Sequence, residues 1–149
     1  MSKYVLTSTL LLLSCSEVPD IKISCTCDSE YVVFEFINNE TSFEDQPWCR
    51  TDNIIGFINE KKNKFLIKEN SDEYLNFLNN ETNKKNINWS QSNITANGFN
   101  STGRKVTVDL NRINLNLKTV TTVIYSEPYK SYTGYKQYQE YTCKKVVGI

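Results

Sequence analysis

The chain of 149 residues contains no histidine, and that gap closes several chemical routes at once. Without an imidazole there is no Ser-His-Asp or Cys-His relay and no His-ligated metal centre. Glycine (5) and proline (3) are scarce, and neither GxGxxG nor GxxxxGK[ST] occurs, so no phosphate-cradling loop is indicated. Neither sign of charge prevails, with 17 Lys+Arg against 17 Asp+Glu. Proteins that neutralise phosphates carry a basic excess or stripe, so no nucleic-acid partner is expected. Long apolar runs are missing too. The mainly apolar stretch Val5 to Leu13 spans nine positions, too few to cross a bilayer core of roughly 30 Å as a helix.

That short stretch has another use. One lysine (Lys3), the apolar run and then Ser14 match the order of a secretory signal peptide, which predicts export and removal of residues 1–14. The ending Leu12-Leu13-Ser14-Cys15 resembles a bacterial lipobox, although Leu13 is larger than the usual residue there. The resemblance implies that Cys15 becomes the lipidated first residue, a membrane anchor followed by a linker over 15–20 and a β domain over 21–149. The expected location is the cell envelope, lipid-anchored and facing the periplasm, or secreted. The competing reading, in which Leu10 to Leu13 form a core strand of a cytosolic protein, is the weaker one.

The cysteines agree with export. Five are present, Cys15, Cys25, Cys27, Cys49 and Cys143, and an odd thiol is awkward outside the cell. With Cys15 lipidated, four remain for two disulfides in three connectivities. Cys25 and Cys27 lie two apart on a strand, so they share a face and should each reach a different partner, Cys49 or Cys143. A Cys27–Cys143 bridge would tie the first mature strand to the last and remove on the order of 4–5 kcal/mol of unfolded-state entropy. A Cys-only metal site is disfavoured, because the paired Cys-x₂₋₄-Cys knuckles are absent. No metal and no cofactor are expected.

The body reads as strands. Ile21 to Cys27 alternates strictly with odd positions apolar, and Tyr31 to Ile37 is rich in aromatic and β-branched residues. Ile54 to Ile58 and Phe65 to Ile67 flank the polar run 59–64, which predicts a hairpin with a charged turn. Val106, Val108 and Leu110 alternate on even positions, whereas Ile113, Leu115 and Leu117 alternate on odd ones. A one-residue slip reverses the buried face, so a bulge or tight turn is expected at Asn111-Arg112. Thr119 to Tyr125 and Tyr135 to Val147 supply two more strands. Only Asn70 to Leu78, with a Ser71 cap and acids in its first turn, has a helical look, two turns at most, and a strand is the alternative there. The expected fold is mainly β: one antiparallel barrel or sandwich of roughly seven to nine strands, with at most one short helix.

Three features invite functional readings. Five N-x-[ST] triplets occur, at Asn39, Asn80, Asn88, Asn93 and Asn100. With 18 Asn and 27 Ser or Thr in the chain, about three are expected by chance, so they do not mark a glycoprotein. Tyr129, Tyr132, Tyr135, Tyr138 and Tyr141 recur every third residue, a period of neither strand nor helix. A hairpin turning over Ser131 to Gly134 would place tyrosines on both faces as cross-strand pairs. The alternative is a tyrosine-lined surface for a glycan, peptide or protein partner, and this hairpin is the first candidate for one. The acids Glu35 and Asp109 lie in apolar strands and invite comparison with a glycosidase pair. Alternation accounts for them as solvated-face residues, and no catalytic residue is assigned. Trp48 and Trp89 are expected to pack a small core or cover a disulfide.

Cys27-Asp28-Ser29 in the first strand, Ile87-Asn88-Trp89-Ser90, Leu110 to Leu117, and the closing Tyr141-Thr142-Cys143-Lys144-Lys145 follow one another along the chain. Together with the leader they resemble small secreted β proteins of AT-rich marine bacteria and their phages. That resemblance implies a β fold with a first-to-last-strand disulfide. A second one is to the membrane-bound C-type lysozyme inhibitors, small lipoproteins with a β-barrel and a disulfide. Their loop carries Ser-Gly-x-x-Tyr, and Ser131-Tyr132-Thr133-Gly134-Tyr135 has those residue types in another order. The functional expectation is an exported, lipid-anchored envelope protein that binds or builds rather than catalyses. The alternatives are an inhibitor of a cell-wall hydrolase and a lipocalin-like carrier of a small apolar ligand.

Overall fold

The computed structural model describes residues 18–69, 86–100, 102–129 and 131–146. Within them the alternating segments become nine strands: β1 (Ile21–Phe36), β2 (Thr41–Asp45), β3 (Asn53–Asn59), β4 (Lys64–Glu69), β5 (Ile87–Trp89), β6 (Asn93–Phe99), β7 (Lys105–Asn111), β8 (Asn116–Tyr129) and β9 (Tyr132–Lys145). No helix occurs among the described residues, and the segment 70–78, read as a short helix or a strand, lies outside them. The strands form one antiparallel sheet in the order β4-β3-β1-β9-β8-β7-β6-β5, with β2 beside the far half of β1. The sheet curls into a nearly closed barrel. Across the seam, Trp89 Nε1 donates to Asn63 Oδ1 at 2.8 Å and Arg112 reaches Glu60 at 3.1 Å; on its own side Arg112 also donates to the Ser90 carbonyl at 2.6 Å.

The two expected strands 21–27 and 31–37 are one long β1. Its pairing with β9 slips between Cys27 and Ser29, so a bulge at Asp28 reverses the face. Ile23, Cys25 and Cys27 point inward before it; Glu30, Val32, Phe34 and Phe36 point inward after it. Beyond the bulge β1 changes neighbour on one edge, pairing with β3 over 21–26 and with β2 over 31–35. The chain between those two partners, residues 46–52, runs past Cys27, whose N–H donates to the Asp52 carbonyl at 2.8 Å.

That detour fixes the disulfides. Cys25 stands directly opposite Cys143 in the β1–β9 register, with Cα atoms 4.0 Å apart, and the two are bonded. Cys143 N–H turns away to the Leu115 carbonyl, as in a non-hydrogen-bonded antiparallel pair whose side chains lie close. Cys27 takes Cys49 from the adjacent loop. The first-to-last-strand bridge therefore exists, but through Cys25 and not through Cys27. Trp48 does not cover the bridge: it is 73% exposed, pointing away while its neighbour Cys49 reaches Cys27.

The lower barrel is filled by Ile23, Ile54, Phe65, Ile67, Ile94, Val106, Leu110, Leu117 and Tyr141, all nearly inaccessible. Each such aliphatic or aromatic side chain contributes roughly 1.5–3 kcal/mol on burial. Gly56 is required where Ile23 crosses β3, since a Cβ there would meet Ile23 Cγ1 at 2.7 Å. The expected phase flip is a turn over 112–114, in which Asn111 Oδ1 accepts from the Ile113 and Asn114 N–H groups. Ile113 sits at its tip, exposed, and Leu115 packs against the core with a positive φ of 57°.

Candidate binding face

Above this apolar core the interior changes character in two tiers, because β1, β8 and β9 outrun their neighbours. β7 begins at Lys105, opposite Thr122, so from Val123 onward β8 has no partner on that side. Strands β2, β1, β9 and β8 thus continue as a projecting sheet. The first tier is polar. Glu30 is 2% exposed and opposite Gln139 in register. Its Oε1 accepts from Gln139 Nε2 at 2.6 Å, Gln137 Nε2 at 2.8 Å and Arg50 N–H at 3.3 Å. Thr119 Oγ1 in turn donates to Gln139 Oε1 at 3.3 Å. Glu30 Oε2 is buried and has no hydrogen-bond partner. A buried acceptor left unmet costs on the order of 1–3 kcal/mol, which marks it as a place that would take a donor.

The second tier is aromatic. Phe36, Tyr132, Phe34, Tyr135 and Tyr125 form a connected series on the inward face. Ring centroids are 4.8 Å apart for Phe36–Tyr132, 5.0 Å for Phe34–Tyr132, 5.9 Å for Phe34–Tyr135 and 6.2 Å for Tyr125–Tyr135. All five rings are half-buried, shielded in part by one another and still open on one side. On the opposite face Tyr31 stacks on Tyr138 at 4.6 Å and meets Phe43 at 4.9 Å. Phe43 is largely exposed beside them, and so is Ile124 further along β8.

The tyrosine series is thereby divided. Tyr132 and Tyr135 belong to the inward tier, Tyr138 to the outer stack, and Tyr141 is wholly buried, its hydroxyl donating to the Thr51 carbonyl at 3.3 Å. Tyr129 stands opposite Tyr132 at the end of the hairpin, and its side chain lies outside the described residues, as does Cys15. The hairpin turns at Ser131, in the left-handed region with φ 72°, rather than over 131–134. Gly134 is a strand residue at which β8 comes so close that a Cβ would lie 2.2 Å from the Val123 carbonyl oxygen. A register irregularity around Thr133 shifts the phase of β9, which is how a period of three serves two faces.

The acids noticed in the sequence are not the buried one. Glu35 lies on the outward face of β1, and Asp109 on that of β7, accepting from Asn93 Nδ2 at 2.6 Å. Glu30 falls between the two strands that the sequence suggests, 21–27 and 31–37, so no face is assigned to it until they join as one bulged β1. The signal that could have found it is the polar pair Asp28-Ser29, followed by apolar residues on the other parity. Among the described residues, no group of three His, Cys, Asp or Glu is placed to hold a metal ion.

What the arrangement offers chemically is contact area. Rigid rings lose little entropy on binding and present flat apolar faces, with hydroxyls at their edges for orientation. No family model, no curated protein and no solved structure matches the chain.

Proposed function

We propose that this is an exported binding protein of the cell envelope, held by lipid at Cys15, whose recognition surface is the aromatic tier at the far end of the barrel. The observation that carries the reading is the five-ring series Phe36–Tyr132–Phe34–Tyr135–Tyr125, left half-open on a projecting sheet. Two disulfides suit an oxidising compartment. The chain reaches the barrel at Val18, three residues after Cys15, and joins the end of β1 remote from the rings. An anchor at Cys15 would leave the aromatic tier facing away from the membrane.

Two measurements test this. Unreduced intact mass of membrane-extracted protein should show cleavage before Cys15, acyl addition and the loss of four hydrogens. In-cell cross-linking should capture a species that Phe34→Ala/Tyr132→Ala loses and Tyr31→Ala keeps. Full-length protein with free thiols, or a cross-linking pattern indifferent to Phe34 and Tyr132, would sink the reading.

A second reading is supported by Glu30 Oε2, a buried acceptor below an aromatic wall. In it the barrel carries a small apolar molecule bearing an N–H or O–H donor. Solvent extraction of purified protein, analysed by mass, distinguishes it: a carrier releases a stoichiometric small molecule, whereas the surface-binding module releases none.

A further inference from the structure

A net charge of zero conceals a separation of charge along the barrel. Residues 28–49, which form the far half of β1, the β1–β2 turn and β2, contain six acids and no Lys or Arg. The end where the chain enters is the reverse. On the outer wall of β1, β3 and β4, the ammonium groups of Lys22, Lys64 and Lys68 lie 5.9, 5.8 and 5.5 Å from the centre of the Phe57 ring. Lys61 and Lys62 follow in the adjoining β3–β4 turn, and Lys144 is exposed next door, opposite Ser24. Of the acids at this end whose side chains are described, Asp20 is paired with Lys64 at 2.5 Å and Glu60 with Arg112 at 3.1 Å. Among the described residues Lys22, Lys61, Lys68 and Lys144 form no ion pair.

Gathering three ammonium groups around one ring is opposed by their mutual repulsion, and the π-face offsets that only in part. A negative surface outside the molecule would complete the balance. Its position is specific. Asp20 bonds to Lys64 and Asn59, and Asn59 Nδ2 also donates to the Val18 carbonyl at 2.9 Å, so the incoming chain is fastened to the edge of the lysine patch. Cys15 is three residues upstream, within about 11 Å of Val18 even when extended.

We infer that the lysine patch centred on Phe57 is a docking surface for an anionic membrane, acting as a second, electrostatic attachment beside the anchor at Cys15. The occupant is a lipid surface because the chain that leads from the expected anchor joins the barrel at the same edge, at Val18, and because the patch is a spread of separate ammonium groups. Such point charges suit a diffuse field better than one bidentate ligand. Docked this way, the patch lies about 40 Å along β1 from Phe34 and Phe36, which then face the periplasmic space. The inference takes its orientation from the proposed envelope anchor, but its test does not need the lipid.

Full-length Cys15→Ser protein, which cannot be acylated, is partitioned onto vesicles of phosphatidylcholine alone and of phosphatidylcholine mixed equally with phosphatidylglycerol. The apolar run Val5 to Leu13 contributes alike to both, so the ratio of the two partition coefficients isolates the charge effect. A lysine close to an anionic surface changes binding about fivefold, so Lys22→Gln/Lys68→Gln should lower the ratio by roughly twentyfold. Lys105→Gln/Lys136→Gln, away from the patch, should leave it nearly unchanged. The preference should also fade as salt shortens the Debye length below about 8 Å. An equal loss in both double variants, no preference for the anionic vesicles, or binding to heparin without binding to vesicles would overturn the inference. If the parent selects anionic vesicles through Lys22 and Lys68 while native Cys15 carries no acyl group, the anchored reading fails and this one stands. A lipidated Cys15 with no charge preference does the reverse: the anchor stands and the lysine patch is not a membrane contact.

Discussion

Removing the two disulfides one at a time separates the long-range constraint from the local one. The Cys25–Cys143 bridge closes 118 residues and the Cys27–Cys49 bridge 22. In the chain-entropy model these loops remove about 4.9 and about 3.4 kcal/mol of unfolded-state freedom at room temperature. Because the dependence is logarithmic, nesting the short loop inside the long one changes the larger figure by only about 0.2 kcal/mol. The native state adds a second difference. Cys25 is fully buried in the core and Cys143 nearly so, whereas Cys27 is half-exposed. Cys25→Ala/Cys143→Ala therefore also opens a small void, costing about 1–2 kcal/mol more. The expected losses are about 6 kcal/mol for this pair and about 3–4 kcal/mol for Cys27→Ser/Cys49→Ser. Equilibrium urea unfolding, followed by tryptophan fluorescence without reductant, reads both. The long-loop variant should also show a larger m-value, because its unfolded chain expands more. A greater loss from Cys27→Ser/Cys49→Ser would refute the loop-entropy reasoning. It would mean that docking of residues 46–52, which supply Arg50 N–H to Glu30 and the Thr51 carbonyl to Tyr141, outweighs chain closure.

Three further outcomes are expected. Gly134→Ala should cost several kcal/mol and shift the β8–β9 amide resonances around Val123, since its Cβ would meet backbone at 2.2 Å; a change under about 1 kcal/mol would show that the strands separate cheaply there. Glu30→Gln keeps an acceptor for the two glutamines and removes a carboxylate with no cationic partner, so its unfolding free energy should stay within about 1 kcal/mol of the parent's. Glu30→Leu orphans three N–H donors and should cost about 3 kcal/mol; equal effects would mean that water already serves those donors. Asp20 is held below the usual carboxylate range, mainly by its hydrogen bond from Lys64 and then by that from Asn59. Its contribution is therefore complete above about pH 4 and disappears as pH falls through the lowered folded value. The stability gap between parent and Asp20→Asn should close over that acid range, and a gap that persisted below it would exclude this carboxylate as the cause.

Legibility differed from one element to the next for physical reasons. The hairpin at 54–67 and the turn after Asn111 could be read because both rest on local signals: alternation broken by a polar run, or a parity change within a few residues. The placement of the hairpin turn at 131–134 was wrong because Gly134 looks like a turn residue, yet it is needed for close approach of β8. The sequence leaves open which of Cys25 and Cys27 meets Cys143, and the structure assigns Cys25. Alternation tells which side chains share a face but not which residue lies across the strand, and two cysteines on one face are equivalent until β9 is laid beside them. Trp48, expected in a core, is exposed because residues 46–52 turn Cys49 inward.

The sequence by itself determined the composition of the interior, the antiparallel β class, the shared face of Cys25 and Cys27, and the excess of aromatic residues at the carboxyl-terminal hairpin. These follow from period, propensity and counting, which act over a few residues. Only the tertiary structure decided that Asp28 bulges, that Glu30 is consequently buried with one oxygen unmet, and that Phe34, Phe36, Tyr125, Tyr132 and Tyr135 meet as one tier. It alone gathered Lys22, Lys64 and Lys68 around Phe57. The reason is common to all of them. A site is made from residues on different strands, and the register that brings strands together is selected by the packing of the whole barrel, which no local stretch of chain encodes.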